Sequence, residues 1–445
     1  MATDRADPQP TERNRLLSDA MAAAVHRYSV ANPKSRQLHK EACQWMPGGN
    51  TRTGLYYAPF PLTMVRGAGA SLWDADGHRY IDFVSDFSAG IFGHSNAVIR
   101  AAVTEALASG MSLGAPNRYE RELAELVCRR FPSIESVRFC NSGTEANLLA
   151  LCAARTATNR NKVLGFRGAY HGSLFTLQDA GRALRMPFEV LLARYNLVEE
   201  VDELVERHGT DLAAIIVEPM IGNGGCIPGT PDFLLALRRL TEKHGIVLIF
   251  DEVITSRLSP GGLQQKLAIK PDITTLGKYI GGGFSFGAFG GSHRIMKQFD
   301  QCHTSVIAHS GTFNNNVASM AAGVVGFGQI LSPDVLMDLN AAGDVLRSRL
   351  QRVGQERGVP FQVSGLGSVM NIHFYMGDIN APEDLAGADR ELLRLLHLEL
   401  LNSGFHIASR GLVALSLPLT KTDLDAFVST IERFVDDHKD LGNSR

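Results

Sequence analysis

Apolar positions fall into two regimes along this chain. Between about residues 90 and 330, short unbroken apolar runs recur: SVRFC (136–140), KVLGF (162–166), LAAIIV (212–217) and GIVLIF (245–250). Runs of that length without a polar face fit parallel strands covered on both sides. Between them lie stretches with helical spacing, such as RYERELAELVCRRF (118–131). This alternation predicts a doubly wound α/β domain with a mostly parallel central sheet flanked by helices. Upstream, helical patterns cover 14–30 and 34–46, and SLWDADGHRYIDF (71–83) predicts a hairpin turning at Asp76-Gly77. Beyond Ser332-Pro333 the pattern changes to a long helix (335–354), strands at MNIHFY (370–375) and LVALSL (412–417), and a last helix over 421–438. We therefore expect a disordered N-terminus over 1–13, where polar residues and prolines dominate. Residues 86–330 are expected to form the large domain. A smaller α+β domain is expected from an N-terminal segment (14–85) and a C-terminal one (331–445).

The charge changes this picture little. A formal net charge of -2 with no basic stripe argues against nucleic acid. No apolar run reaches membrane-spanning length, and the first fifteen residues hold no apolar leader core. None of the six cysteines forms a C-x-x-C pair, so no metal site is expected. Most read as small core residues, which suits a reducing, cytoplasmic setting.

Ligands of open α/β sheets bind outside the carboxyl ends of the strands, so the residues that follow each run matter most. NSGTEAN (141–147) places Ser142, Gly143 and Thr144 where a strand turns into a helix. The first amides of that helix favour a phosphate, or serve only an ordinary cap from Asn141 or Ser142. In GAYHG (168–172), Tyr170 could cover one face of a planar ligand, and His171 reads as a structural histidine. Glu218 follows LAAIIV. Asp251 ends the most apolar run, and Val253, two residues on, shares its side if the strand continues. In TTLGKYIGGG (274–283), Lys278 stands among glycines that let backbone approach a ligand. A poorly solvated amine there becomes a nucleophile toward carbonyls. A phosphate cradle, a stacking aromatic, a carboxylate for a ring nitrogen, an apolar floor and a nucleophilic lysine are together the parts of a pyridoxal phosphate site.

At these residues the chain resembles the class III (omega) aminotransferases of pyridoxal-phosphate fold type I, over about residues 40–435. NSGTEAN, GAYHG, VEPM, DEV, TTLGKYIGGG and HSGTFNNN occur in the family's order. The resemblance implies that Lys278 forms a Schiff base with the cofactor and moves the proton. It implies that Asp251 pairs with the ring nitrogen, that Tyr170 and Val253 sandwich the ring, and that Gly143, Thr144 and Ser142 hold the phosphate. Glu218 would stand behind them. Thr312 would reach the phosphate of a neighbouring subunit, which makes the expected enzyme a homodimer.

Within the family, PGGNTR, YAPFPL, DEVITSRL and TLGKYIGGGFSFGAFGG resemble aromatic β-amino acid aminotransferases. By that resemblance Arg52 binds the carboxylate of a β-amino acid, and Arg410 binds the α-carboxylate of an acceptor such as 2-oxoglutarate or pyruvate. On the residues alone, the preferred readings are a surface loop arginine for Arg52 and half of an ion pair between lobes for Arg410. Phe87 stands where related enzymes often carry tyrosine, and it would line the side-chain pocket. The alternatives are a glutamate-1-semialdehyde-type aminomutase, another ω-amino acid or amine transaminase, and a racemase. A regulator of the same fold should lack the lysine or carry a DNA-binding domain.

Overall fold

The computed structural model describes residues 12–302 and 307–442. Residues 1–11 of the expected disordered N-terminus lie outside that range. Glu12 and Arg13, which we also expected to be disordered, begin the helix Glu12–Ala31 instead. Arg13 is fixed by pairing with Asp389 and by donating from Nε to the Leu441 carbonyl at 2.7 Å. The second predicted helix is shorter than its pattern and ends at Ala42.

The four predicted apolar runs enter one seven-stranded sheet. Its spatial order is Ser136–Cys140, Gly287–Gly291, Ile273–Gly277, Val247–Asp251, Leu212–Val217, Lys162–Phe166 and Val190–Ala193. Every pairing is parallel except the two made by Gly287–Gly291, which runs against both neighbours. That strand, GAFGG, was missed. Glycine carries no side chain to show alternation, so a strand chosen for closeness leaves no apolar period. Closeness is what it provides: a Cβ on Gly287 would lie 2.1 Å from the Ser142 carbonyl oxygen. Four strands are buried along their whole length, LAAIIV, VLIFD, Ile273–Gly277 and Gly287–Gly291, because helices cover both faces of the sheet.

The hairpin forms as predicted, with Ser71–Asp74 antiparallel to Arg79–Asp82 and Gly77 in the left-handed region at φ +97°. Its sheet is completed from the other end of the chain, where Phe405–His406 lies parallel to Arg79–Asp82. A separate antiparallel sheet joins Phe361–Leu366, Val369–Phe374 and Leu412–Ala414, flanked by the 25-residue helix Pro333–Arg357. The cysteine expectation holds for only two positions: Cys140 and Cys226 are buried, whereas Cys43, Cys152 and Cys302 are exposed. Among the described residues no single helix is long and apolar enough to cross a membrane.

Candidate active site

The carboxyl ends of Val247–Asp251 and Ile273–Gly277 meet the amino end of the helix Gly143–Thr158. Asp251 is buried and receives three donors. Asn147 Nδ2 and His171 Nδ1 each donate to Oδ2 at 2.8 Å, and the Val253 amide donates to Oδ1 at 3.0 Å. Asn147 is held in turn by the Thr275 hydroxyl at 2.6 Å. The last of those donors corrects an expectation. Val253 does not continue an extended strand; the chain turns at once, and the Asp251 side chain folds Val253 back as an Asx turn. The result still places Val253 beside the helix start, since a Cβ on Gly143 would lie 2.9 Å from Val253 Cγ2. The adjacent Glu252 faces away and accepts from the amides of Leu263 and Gln264 at 2.6 and 3.0 Å.

Lys278 opens a short 3₁₀ turn and adopts φ +55°, a left-handed conformation costly for any residue but glycine. Its amine donates to the Phe87 carbonyl at 2.9 Å. Burial pushes its pKa down to about 8; Asp86 and Asp251 pull upward, and Arg410 and Arg52 reinforce the fall. An amine of that pKa is a far better nucleophile at neutral pH than an exposed lysine. Of the glycines beside it, Gly281 and Gly282 serve packing rather than ligand room. Added Cβ atoms there would lie 2.3 Å from Phe286 Cβ and 2.5 Å from the Ala322 carbonyl carbon. Only Gly283 borders open space.

Phe87 belongs to a turn in which four successive non-glycine residues, Ser85, Asp86, Phe87 and Ser88, have φ between 43° and 75°. Asp82 caps its start, accepting from the amides of Val84 and Ser85 at 2.8 and 3.3 Å. The turn brings the Phe87 ring close to two cations, with Arg52 Cζ 5.2 Å and Arg410 Cζ 5.0 Å from its centroid. Both distances suit cation–π attraction. Arg52 is half exposed and pairs with Asp86 at 3.1 Å. Arg410 is not the inter-lobe ion pair its sequence allowed: its Nε is buried without a partner, and burial lowers its pKa.

At the helix start, Ser142 Oγ accepts from the Glu145 amide at 3.2 Å, so the capping role read from the sequence is real. The first turn of a helix still has more amides than one cap satisfies. A Cβ on Gly172 would lie 2.1 Å from Thr144 Oγ1, so the GAYHG loop closes directly onto this turn. Tyr170 is 39% exposed, and its amide donates to Glu218 Oε1 at 2.9 Å. The other Glu218 oxygen accepts from the Gly222 amide at 3.0 Å, and burial pushes this carboxyl's pKa up. Burial pushes the Tyr170 hydroxyl's pKa up, and Arg410 and Arg52 oppose the rise. Thr312 stands exposed on the segment before the helix Val317–Val325, two residues from Asn314, whose Oδ1 accepts from Asn141 Nδ2 at 3.0 Å.

Thus Lys278, Asp251, Val253, Gly143, Thr144, Tyr170, Glu218, Phe87, Arg52 and Arg410 surround one region, with Ser142 at its edge. Sequence reasoning gave no role to Asn147 and read His171 as structural, yet both grip Asp251. The "EAN" register, one helical turn beyond the cap, was the available signal for Asn147. The residues fit pyridoxal phosphate: a helix start for its phosphate, a clamped carboxylate for a ring nitrogen, and a half-buried amine that donates to a carbonyl.

Known proteins agree with this geometry. The family model for class-III aminotransferases matches residues 55–435. A β-phenylalanine transaminase of Variovorax paradoxus is 49% identical over 95% of this chain and 97% of its own length. A glutamate-1-semialdehyde 2,1-aminomutase of Brevibacillus brevis is 37% identical over 88% of this chain and 95% of its own. The crystal structure of a β-phenylalanine aminotransferase from Variovorax paradoxus superposes with a TM-score of 0.94, covering 96% of this chain and 99% of that one.

Proposed function

The chain belongs to the class III aminotransferases, and from that premise we propose that it moves the amino group of an aromatic β-amino acid, of the β-phenylalanine kind, to an α-keto acid such as 2-oxoglutarate or pyruvate. It is a pyridoxal-phosphate-dependent transaminase acting on small amino and keto acids. When bound, the cofactor supplies the electron sink that makes the amine-bearing carbon acidic.

Each residue then has a task. Lys278 would hold the cofactor through Nζ and would move a proton at the substrate carbon that bears the amine. Its depressed pKa keeps a neutral fraction available for that transfer. Asp251 holds the proton at the ring nitrogen, and Asn147 and His171 keep that carboxylate aimed. Val253 and Tyr170 would cover the two faces of the ring, and Gly143, Thr144 and Ser142 would hold the phosphate. Glu218 fixes the backbone of Tyr170.

The observation that carries the substrate reading is the pair of guanidinium groups about 5 Å from one phenyl ring. A transaminase must bind two carboxylates in turn, and in a β-amino acid the carboxylate lies one carbon further from the amine. Two arginines against one aromatic wall serve both geometries: Arg52 takes the donor carboxylate and Arg410 that of the acceptor. Phe87, without a hydroxyl, keeps that wall apolar.

A screen of the donor half-reaction tests this reading. The cofactor-loaded enzyme is mixed with α-, β- and ω-amino acids and arylamines, and the loss of its visible absorption is followed. Turnover confined to amines without a carboxylate would sink the proposal. The likeness to an aminomutase supports a second reading, in which the amine shifts within one molecule. Product formed with no added keto acid would decide for it.

The active unit in this reading is a homodimer with Thr312 placed at the partner's phosphate. Exposed Met111, Leu113, Phe284 and Phe313 supply apolar surface for it. A monomeric mass by light scattering at working concentration would refute the dimer.

A further inference from the structure

Arg257, six residues beyond Asp251, is completely buried, and none of its hydrogen-bond partners is a carboxylate. Nη1 donates to the Ser88 carbonyl at 3.0 Å, Nη2 to the Leu415 carbonyl, and Nε to Ser368 Oγ at 3.1 Å. Burial lowers its pKa only to about 10, so it remains a cation at neutral pH. A charged fork buried without a counter-ion is costly, and mere stability is poorly served by it. A planar fork does offer one cation that can bind several carbonyls in fixed directions at once.

The bonded positions show what those directions serve. Ser88 closes the left-handed turn 85–88 that carries Phe87 and Asp86. Leu415 lies five residues beyond Arg410, on a segment bound to both flanks of the same turn. The Ala414 amide donates to the Phe83 carbonyl at 2.7 Å, and the Leu417 amide to the Ile91 carbonyl at 2.8 Å. The guanidinium is itself locked by a closed ring of bonds. The Ser368 amide donates to Asn340 Oδ1 at 2.9 Å, and Asn340 Nδ2 donates to the Arg257 carbonyl at 2.9 Å. The turn is also held by Asp82 at one end, by the Lys278 amine in the middle and by the half-exposed Arg52–Asp86 pair.

We propose that Arg257 is a positioning residue for substrate selection: its fork pins the turn bearing Phe87 to the segment bearing Arg410 and so sets the spacing of the two carboxylate-binding arginines. This rests on the proposed roles of Arg52 and Arg410. The fork also links these parts to the DEVITSR segment that carries Asp251, so carboxylate spacing is referenced to the ring-nitrogen partner.

The test compares cofactor-loaded wild type with Arg257→Lys, whose single ammonium cannot reach all three acceptors. Hydrogen–deuterium exchange over residues 84–90 is expected to quicken about tenfold or more, the scale of losing one charged hydrogen bond. Exchange over the helix Pro333–Arg357 should stay unchanged. KM for β-phenylalanine should rise about tenfold with kcat within about twofold, the pattern of lost binding rather than lost chemistry. Unchanged exchange over 84–90, or a fall in kcat at constant KM, would overturn the inference. Should Arg257→Lys fail to fold, Ser368→Ala removes only the Nε contact and must shift exchange over 84–90 and KM in the same directions, by about threefold; no shift overturns the inference. Failure of the substrate reading looks different: wild type would not turn over β-phenylalanine, while the exchange result would stand.

Discussion

The two ends of the site are built differently. At the amine end, Asp251 is buried under three donors, and each side-chain donor is fixed by its own packing or by a further bond. At the carboxylate end, Arg52 is half exposed, Arg410 keeps an unpartnered Nε, and a phenyl ring rather than a hydrogen-bond network lies close to both. The chemistry at the amine end is the same for every substrate, so rigidity there costs nothing. In the proposed reaction the carboxylate end accepts two acids of different reach. Weak, weakly directional cation–π contacts and free donor positions allow that.

Substitutions can break or sharpen this contrast. The largest effect is expected of Lys278→Ala, which should abolish turnover and the visible absorption of the lysine-linked cofactor; retained absorption would show that another group holds it. Asp251→Asn should lower kcat roughly 10²–10³-fold, the scale of removing one aimed electrostatic partner, with KM little changed in steady-state assays. Arg410→Ala should raise the acceptor's KM by about 10–100-fold, as expected for lost charge-assisted bonds. Arg52→Ala should raise only the donor's KM, by less, because its side chain is solvated and shared with Asp86. Effects of either arginine on kcat alone would erase the division between the two ends.

A pH prediction concerns the amine end alone. The Lys278 amine is protonated below about pH 8 and neutral above it. Capture of pyridoxal phosphate by the cofactor-free protein should therefore quicken as pH rises through about 8 and then level, where an unperturbed lysine would still be quickening. Stopped-flow absorbance against pH reads this directly. The smallest effect is expected of Phe87→Leu, which removes the ring from both arginines at roughly 0.5–1 kcal/mol each. KM for both substrates should rise severalfold, measured with the same donor and acceptor pair.

Much of the amine end was legible in the sequence because each part follows an apolar run and carries a local signature. NSGTEAN, DEV and LGK each report a strand end and a residue type suited to it. What was misread there was geometry. Val253 arrives by an Asx turn, and Gly281 and Gly282 make room for Phe286 and Ala322 rather than for a ligand. The roles of Asn147 and His171 were lost because a polar residue on a helix or loop has many possible partners. Only the packing that buries Asp251 selects one.

Local pattern therefore settled most of the sheet, the strand ends and the cofactor, since an apolar run, a cap and a glycine act over a few residues and read the same in any fold. Tertiary structure alone decided that Arg52, Phe87 and Arg410 meet. It also decided that residues 85–88 turn left-handed and that Arg257 is buried to hold them. Those outcomes depend on contacts between segments from opposite ends of the chain. Their free energy comes from packing and desolvation, which no single segment carries in its own sequence.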